Sequence, residues 1–242
     1  MKRAVIMGAS SGIGLAVCRL LLERGWQVGV AARRGGILED IRASAPDRVQ
    51  TMTIDVTDDD APGRLRCLIE KLGGMDLYFH ASGVGRQNMT LDMDVEMATV
   101  ATNALGFTRM VGAAYRYFAG YGRGHIAVIS SVAGVKGLGP APSYSATKAF
   151  QNVYIQALEQ QSATRRLDIA FTDIRPGFVA TPLLGDGRGY PMLMDAGMVA
   201  RHIVRAIERK SHVCIIDWRY RLLVGLWRII PSWLWRRMRL VR

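Results

Sequence analysis

The chain has 242 residues, half of them apolar, with 26 glycines, three cysteines and a net charge of +12. That length suits one α/β domain with a substantial core, and the glycine content fits many tight turns. Residues 218–242 carry seven Arg and no acid, which leaves +5 of the +12 on the other 217 residues and speaks against a basic body built for nucleic acid. Cys18, Cys67 and Cys214 lack CxxC spacing and read as reduced thiols, not a disulfide or zinc framework. The apolar run before Gly8, Ala4–Met7, is only four residues, too short for a signal-peptide core, so a cytoplasmic location is expected.

Taken in order, Arg3–Met7 predicts a first strand, and the amphipathic run Ile13–Glu23, stopped by Gly25, a first helix. Gln27–Ala32 predicts a second strand and Ile37–Ala43 a short helix. Val49–Ile54 alternates as a third strand, and Asp58–Leu72 is helical with Gly73-Gly74 as its stop. Met75–His80 predicts a fourth strand. Val95–Tyr121 has helical periodicity over about 27 residues, long for a single helix. Ile126–Ser130 predicts a fifth strand, Tyr144–Ala163 a long helix and Asp168–Ile174 a sixth strand. Met198–Arg209 is helical, and Val213–Ile216 closes the series. Strands alternating with helices imply a doubly wound parallel sheet, Rossmann-like, in one domain over residues 1–217. Thr181–Asp195 is the least periodic segment and reads as a substrate lid.

Gly8-Ala9-Ser10-Ser11-Gly12-Ile13-Gly14 lies between the first strand and the first helix. Glycine there permits a tight turn and close approach of backbone to phosphate, and the helix start offers unpaired N–H groups to a pyrophosphate. The second strand ends Ala31-Ala32-Arg33-Arg34, without the acid that would hold an NAD ribose. Ala32 leaves space, and Arg33 offers a guanidinium fork to a 2′-phosphate. NADP is therefore expected over NAD. Asp55-Val56, after the third strand, is where an adenine ring would lie, with Asp55 as acceptor.

Tyr144 and Lys148 are four residues apart on one helical face. A neighbouring ammonium lowers a phenol's pKa, and a phenol so adjusted can exchange a proton with a carbonyl or alcohol oxygen. Ser131, at the end of the fifth strand, is placed to hydrogen-bond the same oxygen.

These pieces resemble the short-chain dehydrogenase/reductase family from residue 3 to about 216. The matching segments are Gly8 to Gly14, Asp55-Val56, Asn103-Ala104-Leu105-Gly106, Ile129-Ser130-Ser131, Tyr144-Ser145-Ala146-Thr147-Lys148 and Arg175-Pro176-Gly177-Phe178-Val179-Ala180-Thr181, in the family's order and spacing. The resemblance implies a catalytic tetrad of Asn103, Ser131, Tyr144 and Lys148. Tyr144 would be the acid–base, Ser131 would steady the substrate oxygen, Lys148 would bond the nicotinamide ribose, and Asn103 would support a proton-relay water. It implies cofactor contacts at Gly8, Ser10, Ser11, Gly12, Ile13, Gly14, Arg33, Asp55, Val56, Gly83, Asn103, Tyr144 and Lys148. Pro176, Gly177, Val179 and Thr181 would flank the nicotinamide. A homodimer or homotetramer is also implied, with the helices of Asn103 and Tyr144 at one interface. Two departures stand out. Met7 replaces the family's Thr, and His80-Ala81-Ser82-Gly83 replaces Asn-Asn-Ala-Gly. Exchange of both polar partners for apolar groups can be near neutral, so a compensated core exchange is expected, with His80 a packed residue. Ser11 stands where many NADP-preferring members have a basic residue, so NADP preference rests on Arg33.

Trp218–Arg242 forms an extension with four of the five Trp. Leu222, Leu223, Leu226, Trp227 and Ile230 read as one apolar helical face, and after Pro231 Trp233, Leu234, Met238 and Val241 as a second, shorter one. The longest uncharged run before Arg228 is six residues, so nothing here spans a bilayer. The extension suits a membrane interface, peripheral to the inner face, or docking on the body or a second subunit as a lid over the cleft; nucleic acid is a remote third. The expected activity is reversible NADP-linked reduction of a ketone or aldehyde to an alcohol. The apolar lid residues Pro182, Leu183, Leu184, Tyr190, Pro191, Met192, Leu193 and Met194 point to a lipid-like or steroid-like substrate. The alternative is a non-catalytic nucleotide-binding regulatory or membrane-associated scaffold protein.

Overall fold

A computed structural model describes residues 1–184 and 189–239. In chain order it runs β1 (Arg3–Met7), α1 (Gly12–Glu23), β2 (Gln27–Ala32), α2 (Gly35–Ser44), β3 (Val49–Thr53), α3 (Ala61–Leu72), β4 (Leu77–His80) and α4 (Met93–Val100). It continues with α5 (Phe107–Tyr121), β5 (Arg123–Ile129), α6 (Pro142–Thr164), β6 (Asp168–Arg175), α7 (Ala196–Glu208), β7 (Val213–Ile215), α8 (Trp218–Ile229) and the short α9 (Ser232–Trp235). The strands form one parallel sheet in the order β3-β2-β1-β4-β5-β6-β7. The chain reverses its direction of winding between β1 and β4, and at that point the strand ends diverge into a cleft.

Both faces of the sheet are buried, which is why its strands read as continuous apolar runs. In β1, Ala4 and Ile6 enter one cluster with α1 and α7 residues such as Val17 and Val204. Val5 and Met7 enter the opposite cluster with Leu65, Phe107 and Phe118. Gly73 stops α3 at φ 77, as its position predicts. That helix begins at Ala61, later than Asp58, because Asp58–Asp60 is a turn with Ala61 N bonded to Asp58 O at 3.2 Å and Pro62 pre-set in the first helical turn.

The long periodic run through Tyr121 is not one uniform helix. Residues Ala101–Gly106 between α4 and α5 are π-helical, and Phe107 N–H reaches back to the carbonyl of Thr102. Such wide turns occur mostly as single insertions at functional positions, and this one contains Asn103.

The apolar face read on α8 is divided between the body and the outside: Leu223 packs on the core and Trp227 and Ile230 are half-buried. Leu222 and Leu226 are 60% and 58% exposed, with Trp218 and Ile229 more so, while Tyr220 and Val224 are buried. The helix is aimed by Asp217, which accepts from Arg219 N, and is fastened through Tyr220, so the stripe 220/224 faces the body and 218/222/226/229 faces outward. Leu240, Val241 and Arg242 lie outside the described residues.

Two buried histidines bear on pH. His80 is bonded to the Tyr78 hydroxyl through Nδ1 at 3.0 Å and meets Phe107 edge-on, so it is a packed residue as expected. Burial, with the charge of Lys148, pushes its pKa down to about 3, and burial with the charge of Lys210 pushes His125 down to about 4. An unfolded histidine protonates near ~6.5, so below that pH the unfolded chain takes up protons that the folded chain refuses. Their contribution is complete above pH ~6.5 and is lost as pH falls toward 4. Urea midpoints should be level between pH ~6.5 and ~7.5, below the range where Lys148 titrates, and already lower at pH ~5, before carboxylates titrate; a level profile down to pH ~5 would contradict this.

Candidate active site

The glycine turn lies at the end of β1. Gly8 has φ +90, and a Cβ there would sit 2.7 Å from Ser82 N; a Cβ on Gly14 would sit 2.2 Å from Gly8 O. Main chain thus occupies the space a side chain would need, and α1 starts with no side-chain cap and no acid in its first turn. Its leading N–H groups remain available to an anion beside Ser10, Ser11, Gly12 and Ile13. Thr181 comes to the same place, for a Cβ on Gly12 would meet its Cβ at 3.2 Å.

Met7 and Ala81 replace two polar family positions, but not as a contacting side-chain pair. Ala81 N bonds Met7 O at 2.8 Å, while Met7 points into one core cluster and Ala81 packs on the other. The main chain joins them, and each apolar side chain is absorbed by its own side of the sheet.

Arg33 lies 4.0 Å from Asp55 and is largely exposed. Burial raises the Asp55 carboxyl, but the amide and hydroxyl of Thr57 and the charge of Arg33 together hold it below its ordinary value. Asp55 Oδ1 already accepts from Thr57 N and Oγ1 at 2.9 and 2.7 Å. Val56 is buried against Gly106, whose absent side chain lets the loop after β3 meet the π-helical segment. Arg34, which the sequence reading passed over, reaches back over the turn. Its Nη2 donates to Ser10 Oγ at 3.0 Å and Ser11 Oγ at 2.8 Å. The signal was the second Arg of the pair together with the two serines.

The second group of residues converges at the carboxyl ends of β4, β5 and β6. Asn103 grips the main chain of Val84, donating from Nδ2 at 2.7 Å and accepting at Oδ1 at 2.9 Å. This holds the loop after β4 over α6. A Cβ on Gly83 would lie 3.7 Å from Lys148 Nζ, and one on Gly85 only 2.6 Å from the Tyr144 ring. Glu96 of α4 accepts from Ser143 N at 3.0 Å and from Asn88 Nδ2 at 2.7 Å, so it caps α6 from another element just before Tyr144. Ser131 follows β5; its hydroxyl faces the Tyr144 phenol and acts to lower its pKa, and it accepts from Ala133 N at 3.1 Å. It also donates to Pro176 O at 3.4 Å, joining the ends of β5 and β6.

Lys148 is buried, with its Nζ 5.7 Å from the centre of the Tyr144 ring. It donates to Ile129 O at 2.9 Å and to Gln151 Oε1 at 3.0 Å. Desolvation pushes its pKa down to about 8, opposed by the charge of Asp173. The expectation that Lys148 lowers the Tyr144 pKa is corrected. Burial raises the phenol, the Ser131 hydroxyl opposes this, and the net direction is upward. At this partly buried position desolvation of the phenolate outweighs the nearby ammonium.

The segment read as a lid is anchored on one side. Ala180 N bonds Met194 O and Met194 N bonds Phe178 O, both at 2.9 Å, with Val179 bridged to Met194. The Tyr220 hydroxyl donates toward Pro191 O and Met192 O at 3.1 and 3.3 Å and accepts from Phe178 N at 3.0 Å. Gly177 is required beneath it, since a Cβ there would fall 2.0 Å from the Tyr220 ring. The lid positions 185–188 lie outside the described residues. Trp235 Nε1 donates to Gly137 O at 2.8 Å and Lys136 Nζ to Ile230 O at 3.0 Å, so the extension also touches the loop leading into α6.

A switch-point cleft with a glycine cradle on one side and a Ser, Tyr and Lys group on the other defines a doubly wound dinucleotide-binding enzyme fold. A family model described as short chain dehydrogenase matches residues 2–188, and the chain belongs to that family. An uncharacterized oxidoreductase of Myxococcus xanthus is 29% identical over 238 residues, covering 96% of this chain and 93% of its own. One from Mycobacterium tuberculosis is 27% identical over 246 residues, covering 98% and 96%. A glycine betaine reductase of Emericella nidulans is 33% identical over 231 residues, 88% of this chain, which spans only 18% of that protein. Among solved structures, one described as ElxO with NADP bound has a TM-score of 0.80 at 21% identity, covering 91% of this chain and 99% of that one. One described as ribose-5-phosphate isomerase from Brucella melitensis has 0.82 at 24%, covering 91% and 92%. Both show likeness of fold. The chain is thus a short-chain dehydrogenase family oxidoreductase.

Proposed function

We propose that the chain interconverts a carbonyl and an alcohol with NADP as cofactor. The observation that carries this is the Tyr144 phenol facing Ser131, with the buried Lys148 ammonium 5.7 Å from its ring, at the carboxyl ends of the strands. The glycine turn fits a dinucleotide, since it offers main chain where any side chain would collide. Arg33 and Arg34, with Ser10 and Ser11, fit a 2′-phosphate, and Ala32 presents no acid to repel one. A reduced nicotinamide bound there supplies hydride. Tyr144, whose phenol holds its proton more tightly than usual, donates that proton to the substrate oxygen, and Ser131 hydrogen-bonds the same oxygen. Lys148 favours the tyrosinate left behind and bonds the ribose, while Asn103 holds the loop that covers them. The non-catalytic scaffold is the less favoured reading, since Ser131, Tyr144 and Lys148 lie together with Asn103 joined to Lys148 through Gln151. Tyr144→Phe is expected to abolish reduction of a carbonyl panel while leaving NADPH binding intact; retained turnover would remove Tyr144 from its role. NADPH should be used in preference to NADH, and Arg33→Ser with Arg34→Ser should erase that preference; equal use by the unaltered chain would refute the 2′-phosphate assignment.

A second reading concerns the surface. Trp218, Leu222, Leu226 and Ile229 form an outward apolar stripe, continued by Trp233, Leu234 and Met238, on a segment whose charges near them are arginines. No helix among the described residues is long and apolar enough to cross a membrane. Residues 218–242 then form an extension that rests on the enzyme body with its Tyr220 side and on an anionic membrane surface with the other, which suits a lipid-like substrate. Exposed Met93, Met97 and Val100 on α4, with Phe150 and Val153 on α6, suit the homodimer or homotetramer contact. Vesicles with anionic lipid should co-sediment the full chain but not one with Leu222, Leu226 and Ile229 changed to Ser; equal recovery of both in the pellet rules the membrane out.

A further inference from the structure

We infer that Gln151 is a positioning residue of the catalytic site, a neutral amide strut that ties the Lys148 ammonium to the main-chain carbonyl of Asn103. The inference rests on the carbonyl–alcohol reading for its consequence, but not for its geometry. Gln151 is wholly buried, one turn beyond Lys148 on α6. Its Oε1 accepts from Lys148 Nζ at 3.0 Å, and its Nε2 donates to Asn103 O at 2.8 Å. The π turn makes this carbonyl reachable, since Phe107 N–H bonds Thr102 O instead. One amide therefore connects two members of the tetrad that stand 45 residues apart in sequence.

An ammonium has three N–H groups in tetrahedral arrangement. Two are directed to Ile129 O and Gln151 Oε1. The third is left on the side of Gly83 and Tyr144, where a cofactor ribose would lie. Gln151 thereby sets the direction of the working N–H. It also supplies an acceptor for the charged form of a lysine that burial would otherwise discharge. The groups that face Lys148 are Tyr144 on its own helix, neutral His80 from β4, and Asp173 from β6 with its ion-pair partner Arg175. Gln151 adds a strong dipole to this set and no charge.

The strut differs from the relay water that the family resemblance implies between these groups. Water accepts and releases a proton in turn, whereas an amide does not ionise in the pH range where enzymes work. Reduction adds hydride to the carbonyl carbon and the Tyr144 proton to its oxygen. The tyrosinate then regains its proton from solvent in the cleft, not through the Asn103 carbonyl.

Lysine is present only at Lys2, Lys71, Lys136, Lys148 and Lys210, so 13Cε-lysine NMR on the ligand-free chain can follow Lys148, assigned with Lys148→Met. Gln151→Leu should lower the Lys148 titration midpoint by about one pH unit, and Gln151→Glu should raise it by a similar amount. In alcohol oxidation the rise of kcat with pH should move alkaline in Gln151→Leu, since a discharged lysine supports tyrosinate less. If Gln151→Leu does not fold, the near-isosteric Gln151→Glu decides alone. An unmoved midpoint overturns the strut. Absence of carbonyl turnover in the unaltered chain, with the midpoints moving as stated, would overturn the reaction assignment instead.

Discussion

Lys148 carries its charge into a region nearly closed to water, and an isolated charge there would be expensive to bury. Its acceptors explain how it stays. Ile129 offers a carbonyl from the end of β5, Gln151 an amide oxygen from the next turn of α6, and Asp173 a favourable field from β6. Each comes from a different part of the fold, so the ammonium is supported only when sheet and helix are assembled. The same assembly brings Tyr144 to Ser131 and places Asn103 above Gly83. The site is thus a consequence of one buried cation and the polar groups that must surround it.

Burial sets the acid–base character of the pair in a direction opposite to simple charge proximity. Lys148 is eased toward its neutral form while Tyr144 is held in its protonated form. A phenol that keeps its proton until an oxyanion develops is matched to the carbonyl reduction proposed for the site. The ordinary lysine–tyrosine argument treats the two groups as though they stood in water, and here desolvation is the larger effect for both.

The extension shows a different economy of construction. Tyr220 satisfies its hydroxyl on three main-chain groups of the lid and its base, and its ring fills the space over Gly177. Trp235 and Lys136 repeat the pattern at the loop leading into α6. One side of the extension therefore belongs to the enzyme body, which accounts for the docking half of what its composition allowed. The outward stripe is what remains for a surface.

The sequence by itself determined the alternating strands and helices, the glycine turn after β1 and the family, because these depend on local periodicity and on residue types at short spacing. Tyr144 and Lys148 were legible for the same reason, as neighbours on one helical face. What only the tertiary structure decided depends on contacts between distant segments. The π turn at Asn103 is invisible to a periodicity that it shifts by a single residue. Arg34 reaches Ser10 and Ser11 only once β2 is paired with β1. The body-facing stripe of α8 is set by where Tyr220 meets the lid, not by the distribution of its leucines. Gln151 looked like an ordinary helix residue until folding placed Asn103 O within 2.8 Å of its amide. Hydrogen bonds across more than 40 residues leave no local pattern, and the field around a buried charge is set by all the chain that folds over it.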